Sequence, residues 1–309
     1  METVCSDHNV IVMFRGRQVR LQASDDIPDF TGVLQTRLRS SRSLCCTMFY
    51  PLKQRQYLFG EEYGRECNCR KCTEEFDADI NPLKCVTDGC TERIPSDERA
   101  LLPCSQCGVV SAGNLHKFKK FMAKNQALLQ TCVPTEDNMN YQSMEINKMT
   151  IFKELESLNV LQPDAHLRYA CGRCVAEYYQ DSQRYEEACK LFQELIVCLR
   201  KVYPKYNVER AEYLWNAAYC SRKWLHWSFE QGTHTTREEK LRVIPLIAQA
   251  VSAGVDYVKE ALMIYAKICG RESKVTHEMA RRLERQKEAS AQMQPFLQYR
   301  DELVTSNSR

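Results

Sequence analysis

Three features that the sequence lacks set the first limits on what it can be. It has no apolar run long enough to cross a membrane, and nothing in its first residues resembles a secretory signal. Its 309 residues also carry a formal net charge of only +3. The first two absences lead to the expectation of a reducing compartment, cytoplasmic or nuclear, with no membrane partner. The third removes any global field that would favour nucleic acid or an anionic surface. As a soft prior the length means two or three domains. With 44% hydrophobic and 27% charged residues the composition is that of an ordinary soluble globular chain.

Cysteine is plentiful: the chain has 17, of which seven fall between Cys67 and Cys107. In a reducing compartment, close cysteine spacing points to metal or redox chemistry before disulfides. Cys67-Asn68-Cys69-Arg70-Lys71-Cys72 lets one backbone turn supply three of the four thiolates of a tetrahedral zinc site, the fourth coming from elsewhere. A second set follows as Cys85-x4-Cys90 and Cys104-x2-Cys107, with thirteen residues between the pairs, the layout of a zinc ribbon or knuckle. Neither set opens a helix after an apolar strand, which argues against a thioredoxin-like redox pair. The later cysteines (Cys171, Cys174, Cys189, Cys198, Cys220) sit within helical patterns, where core packing explains them.

Along the chain, residues 9–14 are β-rich, Arg15-Gly16-Arg17 makes a turn, and residues 18–23 alternate apolar and polar, which together predict a hairpin. Residues 29–44 read as a polar surface loop, Cys45–Tyr50 as a third strand, and Pro51 as the start of a helix ending near Gly60 or Gly64. Between residues 65 and 112 the apolar set is small: Leu83, Val86, Ile94, Leu101, Leu102 and Val109. Burial alone cannot hold such a segment, so metal is expected to contribute on the order of 10 kcal/mol per site. Ser96-Asp97-Glu98-Arg99 reads as the tip between the two pairs. Residues 114–130 form an amphipathic helix with Lys117, Lys119, Lys120 and Lys124 on a solvated basic side, and residues 131–138 a linker.

From residue 139 onward helical periodicity covers 140–158, 164–179, 182–203, 207–230, 236–268 and 273–295, with Pro245 expected to kink or split the fifth and the tail from Asp301 expected to fray. Residues 169–204 carry small positions at Ala170, Gly172, Ala176 and Ala188, aromatics between them, and a closing Pro204. Ala188 and Phe192 give the A-x3-F of a tetratricopeptide second helix. Two further pairs are expected, 207–230 with 236–251 and 252–268 with 273–290. The fold class is therefore mainly α with a small β and zinc N-terminal part. The expected domains are 1–64, 65–112, 113–138 (helix and linker), 139–295 and a tail 296–309.

The run Arg55-Gln56-x-x-Phe59-x-x-x-Tyr63-x-x-x-Cys67-x-Cys69-x-x-Cys72, after a hairpin and before an all-helical region, resembles the SMYD family. These are SET-and-MYND protein-lysine methyltransferases that use S-adenosylmethionine. Gly270-Arg-Glu-Ser-Lys-Val likewise resembles the loop before that family's last helix. The resemblance implies a partial SET and post-SET module followed by a TPR-like array. It also implies a fourth ligand for the first zinc at Cys5, with His8 as the alternative, so that the site is Cys5, Cys67, Cys69 and Cys72. Tyr50 would match the tyrosine that lines the lysine channel. The second quartet, Cys85, Cys90, Cys104 and Cys107, resembles only some members.

The departures decide the functional expectation. The MYND finger, the Gly-x-Gly cofactor loop and the earlier SET strands of the family are not in this sequence. Glu2 and Thr3 replace the asparagine and histidine that help hold the cofactor, and Arg65 stands where an aromatic stacks on adenine. SET catalysis is mostly positioning in a narrow channel, and half a channel positions nothing. The expectation is a zinc-stabilised scaffold that grips a protein or peptide on its helical surface, with Tyr50 idle and two zinc ions bound. The alternative is an S-adenosylmethionine-dependent lysine methyltransferase of which this sequence is the C-terminal portion. Nucleic acid is disfavoured by Glu74, Glu75, Asp77, Asp79, Asp88, Asp97 and Glu98, which repel phosphates.

Overall fold

The structure is a computed structural model. It describes the strands in 2–40, residues 81–131, 141–202, 205–230 and 236–306, and isolated residues at 56, 57, 60, 64, 66 and 79. Among the described residues helix dominates. The chain divides into two compact units, Met1–Val175 and Ala176–Arg309.

In the first unit, β1 (Glu2–Thr3), β2 (Val10–Arg15), β3 (Gln18–Ala23) and β4 (Arg39–Ser40) form one sheet in the order β1-β4-β2-β3. The expected hairpin is present, antiparallel, in register from Val10↔Ala23 to Arg15↔Gln18. The expected polar loop at 29–44 is corrected in part, because Arg39 and Ser40 pair in parallel with Glu2 and Thr3 and reach Val10. A two-residue strand has no periodicity to reveal it, and its partners are remote in sequence. The expected strand Cys45–Tyr50 lies outside the described residues. Most of the expected helix from Pro51 does too, although Gln56, Tyr57 and Gly60 are helical.

A short hairpin of β5 (Leu83–Lys84) and β6 (Arg93–Ile94) follows, then a 3-10 turn at Glu98–Leu101. Asp97 caps that turn by accepting from the backbone N–H of Arg99 at 2.9 Å, so the expected tip is a capped turn whose Ala100 is fully buried. Helices α1 (Ala112–Thr131) and α2 (Tyr141–Leu158) pack together and complete this unit with the first part of α3 (His166–Asp181), within which the division falls.

The second unit holds α4 (Tyr185–Val202), α5 (Val208–Glu230), α6 (Arg237–Cys269) and α7 (Lys274–Ser306), each packed on the next. Side-chain pairs give the directions. Tyr185 meets Trp227, Cys189 Sγ faces the Ala217 carbonyl and Phe192 meets Tyr213, so α4 and α5 are antiparallel. Trp215 meets Arg282, Ser221 meets Gln286 and Phe229 stacks on Phe296, so α5 and α7 run the same way. Ala188, Cys189, Phe192, Leu195, Ile196 and Leu199 make one fully buried face of α4 at helical spacing. Cys171, Cys189, Cys198 and Cys220 are buried, as core residues should be, and burial pushes the Cys189 thiol up to about 12.

Two helix boundaries differ from expectation. Pro245 does not split its helix: α6 runs unbroken for 33 residues, so one helix packs on both α5 and α7 and the two expected pairs share it. The hydrogen bond lost at the proline costs about 3 kcal/mol, which burial of Val243, Ile244 and Ile247 around it offsets. The last helix continues through Pro295 to Ser306, so the tail does not fray at Asp301. The absence of a span-length apolar stretch is also corrected: Leu241–Cys269 is long and apolar enough to cross a membrane. Its buried face packs within the array, and Asp256, Lys259, Glu260 and Lys267 interrupt it.

Candidate metal centre

Residues 81–110 carry few groups able to drive folding. Of the six apolar residues named above, only Leu83 and Ile94 are buried; Val86, Leu101, Leu102 and Val109 are exposed. The strand β5 is stitched to the connection between α2 and α3. Lys84 N donates to Val160 O at 2.8 Å, Gln162 N to Pro82 O at 2.9 Å, and Asn81 Oδ1 accepts from Leu167 N at 2.8 Å. Asn114 at the start of α1 donates to the Lys84 carbonyl at 2.9 Å, and Arg93 pairs with Asp164. These bonds fix the base of the hairpin and leave its cysteines to gather at the far side.

There the four thiols converge. The Sγ atoms of Cys85, Cys90, Cys104 and Cys107 all lie within 4.8 Å of one another, with Cys85–Cys107 at 3.4 Å and Cys90–Cys104 at 3.7 Å. A tetrahedral site with metal–sulfur bonds of about 2.3 Å has sulfur–sulfur edges of about 3.8 Å, so the donor set fits a single ion. The spacings exceed the ~2.05 Å of a disulfide, and all four cysteines are free. The cluster can hold a metal ion and is compatible with zinc.

Glycine makes both turns possible. Cys90 N donates to Thr87 O at 3.1 Å across a turn that holds Gly89 at φ 78°, and Gly108 N donates to Cys104 O at 2.8 Å with Gly108 at φ 76°. Both angles lie in the left-handed region that side chains with a Cβ resist.

Backbone amides two residues on then point at the sulfurs. The N–H of Thr87 pulls the Cys85 thiol down to about 6 against burial, helped by the neighbouring thiols and the Thr87 hydroxyl. That same hydroxyl, 3.3 Å from Cys107 Sγ, holds Cys107 below the usual thiol range, with the Val109 N–H adding to it. At Cys90 the Glu92 N–H acts downward, but burial and the other three thiols outweigh it and raise this group to about 12. The pattern is that of a site built for negative sulfurs whose mutual repulsion a cation must relieve. Gln106 Oε1 accepts from Thr91 N and lies 3.2 Å from Cys90 Sγ, which ties the second knuckle to the first.

Sequence spacing pointed to this quartet. It did not point to Thr87 or Gln106, polar turn residues whose only signal is their place inside the knuckles. Cys5, Cys67, Cys69 and Cys72, with the alternative His8, lie outside the described residues, as do Tyr50 and Arg65. Of the lysines on α1, Lys119 pairs with Glu98 and Lys124 with Glu154 at 2.8 Å, so that basic side is partly neutralised. No family model matches the chain, and no curated protein matches it.

Proposed function

We propose that this protein is a metal-stabilised scaffold that grips a protein or peptide partner on its helical array, related to the SMYD family through the partial SET, post-SET and TPR-like parts named above. The observation that carries the reading is the order of packing in the second unit. Each helix packs on the next, and α5 and α7 run the same way with α6 antiparallel between them. That is how stacked helix pairs build an extended binding surface. The metal centre supports it from the other side, since four thiolates favour zinc, a structural ion without redox chemistry of its own. Two zinc ions per chain belong to this reading, one on the described quartet and one on Cys5, Cys67, Cys69 and Cys72.

A second reading is supported by the antiparallel hairpin 10–15 and 18–23, which the resemblance takes as part of a SET remnant over residues 1–64. In that reading the residues belong to an S-adenosylmethionine-dependent protein-lysine methyltransferase. Inspecting the upstream reading frame for Gly-x-Gly and Asn-His-Ser-Cys, then incubating the zinc-loaded chain with any such extension together with labelled S-adenosylmethionine and histone or bulk protein, separates the two. The scaffold reading expects no methyl transfer but partner peptides cross-linked to α5 and α7; turnover above a heat-treated control overturns it.

A further inference from the structure

The array has a groove between α5 and α7 with a cavity of about 650 Å³, and its two ends differ in chemistry. At one end stand Arg222, Lys223 and Arg285. At the other Phe229 and Phe296 stack with ring centroids 4.3 Å apart. The three cations have no carboxylate within ion-pair distance among the described residues, whereas neighbouring cations do: Arg281 and Arg282 are taken by Glu278, and Lys287 by Glu284. Glu288 is the one acidic residue in the lining, and His226 adds a further polar group.

Burial, then the charges of Arg285 and Arg282, pull the Arg222 guanidinium below its ordinary pKa despite the opposing pull of Tyr219. A half-buried arginine repelled by its neighbours and paired with no carboxylate raises the energy of the empty groove, and an anion lowers it. Guanidinium groups bind carboxylates through two parallel hydrogen bonds and gain more where water is partly excluded.

We infer that this groove binds an acidic peptide segment bearing an aromatic side chain, the carboxylates against Arg222, Lys223 and Arg285 and the ring against Phe229 and Phe296. The inference rests on the scaffold reading and names the chemistry of its partner.

The test is fluorescence anisotropy on the full zinc-loaded chain. The probe is a labelled twelve-residue peptide of glutamates around one phenylalanine. Controls replace Glu by Gln, Phe by Ser, or one Glu by phosphoserine; a DNA oligonucleotide and anionic vesicles serve as competitors. The acidic peptide is expected to bind at least about tenfold more tightly than the Gln control, with affinity falling as salt rises. The Arg222→Gln/Arg285→Gln double variant is expected to lose that margin while keeping its melting temperature, since neither side chain holds a carboxylate and Arg222 meets only the Tyr219 ring, 6.0 Å from its centroid. Phe296→Ala is expected to weaken the Phe peptide and leave the Ser peptide unchanged. The phosphoserine arm, if tighter than carboxylate, keeps the site and assigns its anion.

Equal binding of acidic and neutral peptides, or full binding by the double variant, overturns the inference. Tighter binding of DNA or vesicles through these same residues overturns it as well. Partner peptides that still cross-link to α5 or α7 in the double variant would leave the scaffold reading standing while this groove falls.

Discussion

The metal knuckles and the helical array hold their chains in shape by opposite means. Between residues 81 and 110 almost nothing apolar is buried, four thiols meet, and the exposed surface includes Leu101, Leu102, Val109 and Val110. Between residues 185 and 293 a continuous set of side chains from Phe192 to Met293 is excluded from water. On the proposed reading one region depends on a few strong bonds to a single ion, the other on many weak contacts spread along four helices. The difference teaches where each can be broken: the first at any one ligand, the second only where a large side chain leaves a hole.

The sharpest way to break the comparison is to remove one ligand. Cys104→Ser should lower zinc from about two equivalents to about one by plasma mass spectrometry. It should also cost the knuckles on the order of 10 kcal/mol of folding free energy. Hydrogen exchange should then show loss of protection across 81–110 with residues 185–230 unchanged. Unchanged protection in the knuckles would mean that packing, not metal, holds them.

The reciprocal experiment is Phe192→Ala. Phe192 is fully buried and packs edge-on against Tyr213 with ring centroids 5.7 Å apart. The cavity left should cost about 3–5 kcal/mol, read as a lower denaturation midpoint of the array with the zinc content intact. A loss of metal in this variant would show that the two regions do not fold separately.

How far these contrasts could be read from residues alone follows from their physics. The quartet was legible because metal geometry fixes ligand type and spacing, and the hairpin because alternation flanked an Arg-Gly-Arg turn. Helices α1 to α5 were legible from apolar periodicity. Pro245 misled because local propensity weighs the lost bond and not the buried side chains around it. Arg39–Ser40 carried no signal, since its partners at Glu2 and Thr3 are distant. The groove cations were equally hidden: Arg222 and Arg285 are 63 residues apart in the chain, and nothing in either helix marks which arginine lacks a carboxylate.

A medium-sized effect isolates a charge network inside the array. Glu260 pairs with Arg200 at 2.6 Å and with Arg210, its own side chain 17% exposed. Burial alone would raise its pKa, but the two guanidiniums outweigh it and hold the carboxylate below its ordinary value of 4.5. A depressed folded pKa means stability that is present in full above about pH 4.5 and is lost as pH falls through the folded value. Glu260→Gln should cost about 1.5–3 kcal/mol at neutral pH. The gap between wild type and variant should then close on acidification below 4.5, in urea melts taken at each pH. A gap independent of pH would mean that the glutamine fails by shape rather than by charge.

The smallest effect compares two glycines that are needed for unlike reasons. A Cβ at Gly254 would overlap the Gln286 side-chain amide and stand 2.9 Å from Ser221 Oγ, so Gly254→Ala strains the array by crowding, by about 1–3 kcal/mol. Gly108 has open space around it, and its φ of 76° is the whole difficulty. Gly108→Ala should therefore cost about 1–2 kcal/mol. Where the knuckle folds together with an ion, as proposed, that strain should leave the array's melting curve alone. It should appear as a zinc affinity weakened about five- to thirtyfold in competition with a chelator. If Gly108→Ala instead lowers the melting point of the array with zinc affinity unchanged, the knuckle does not depend on its ion, and the contrast between the two regions is lost.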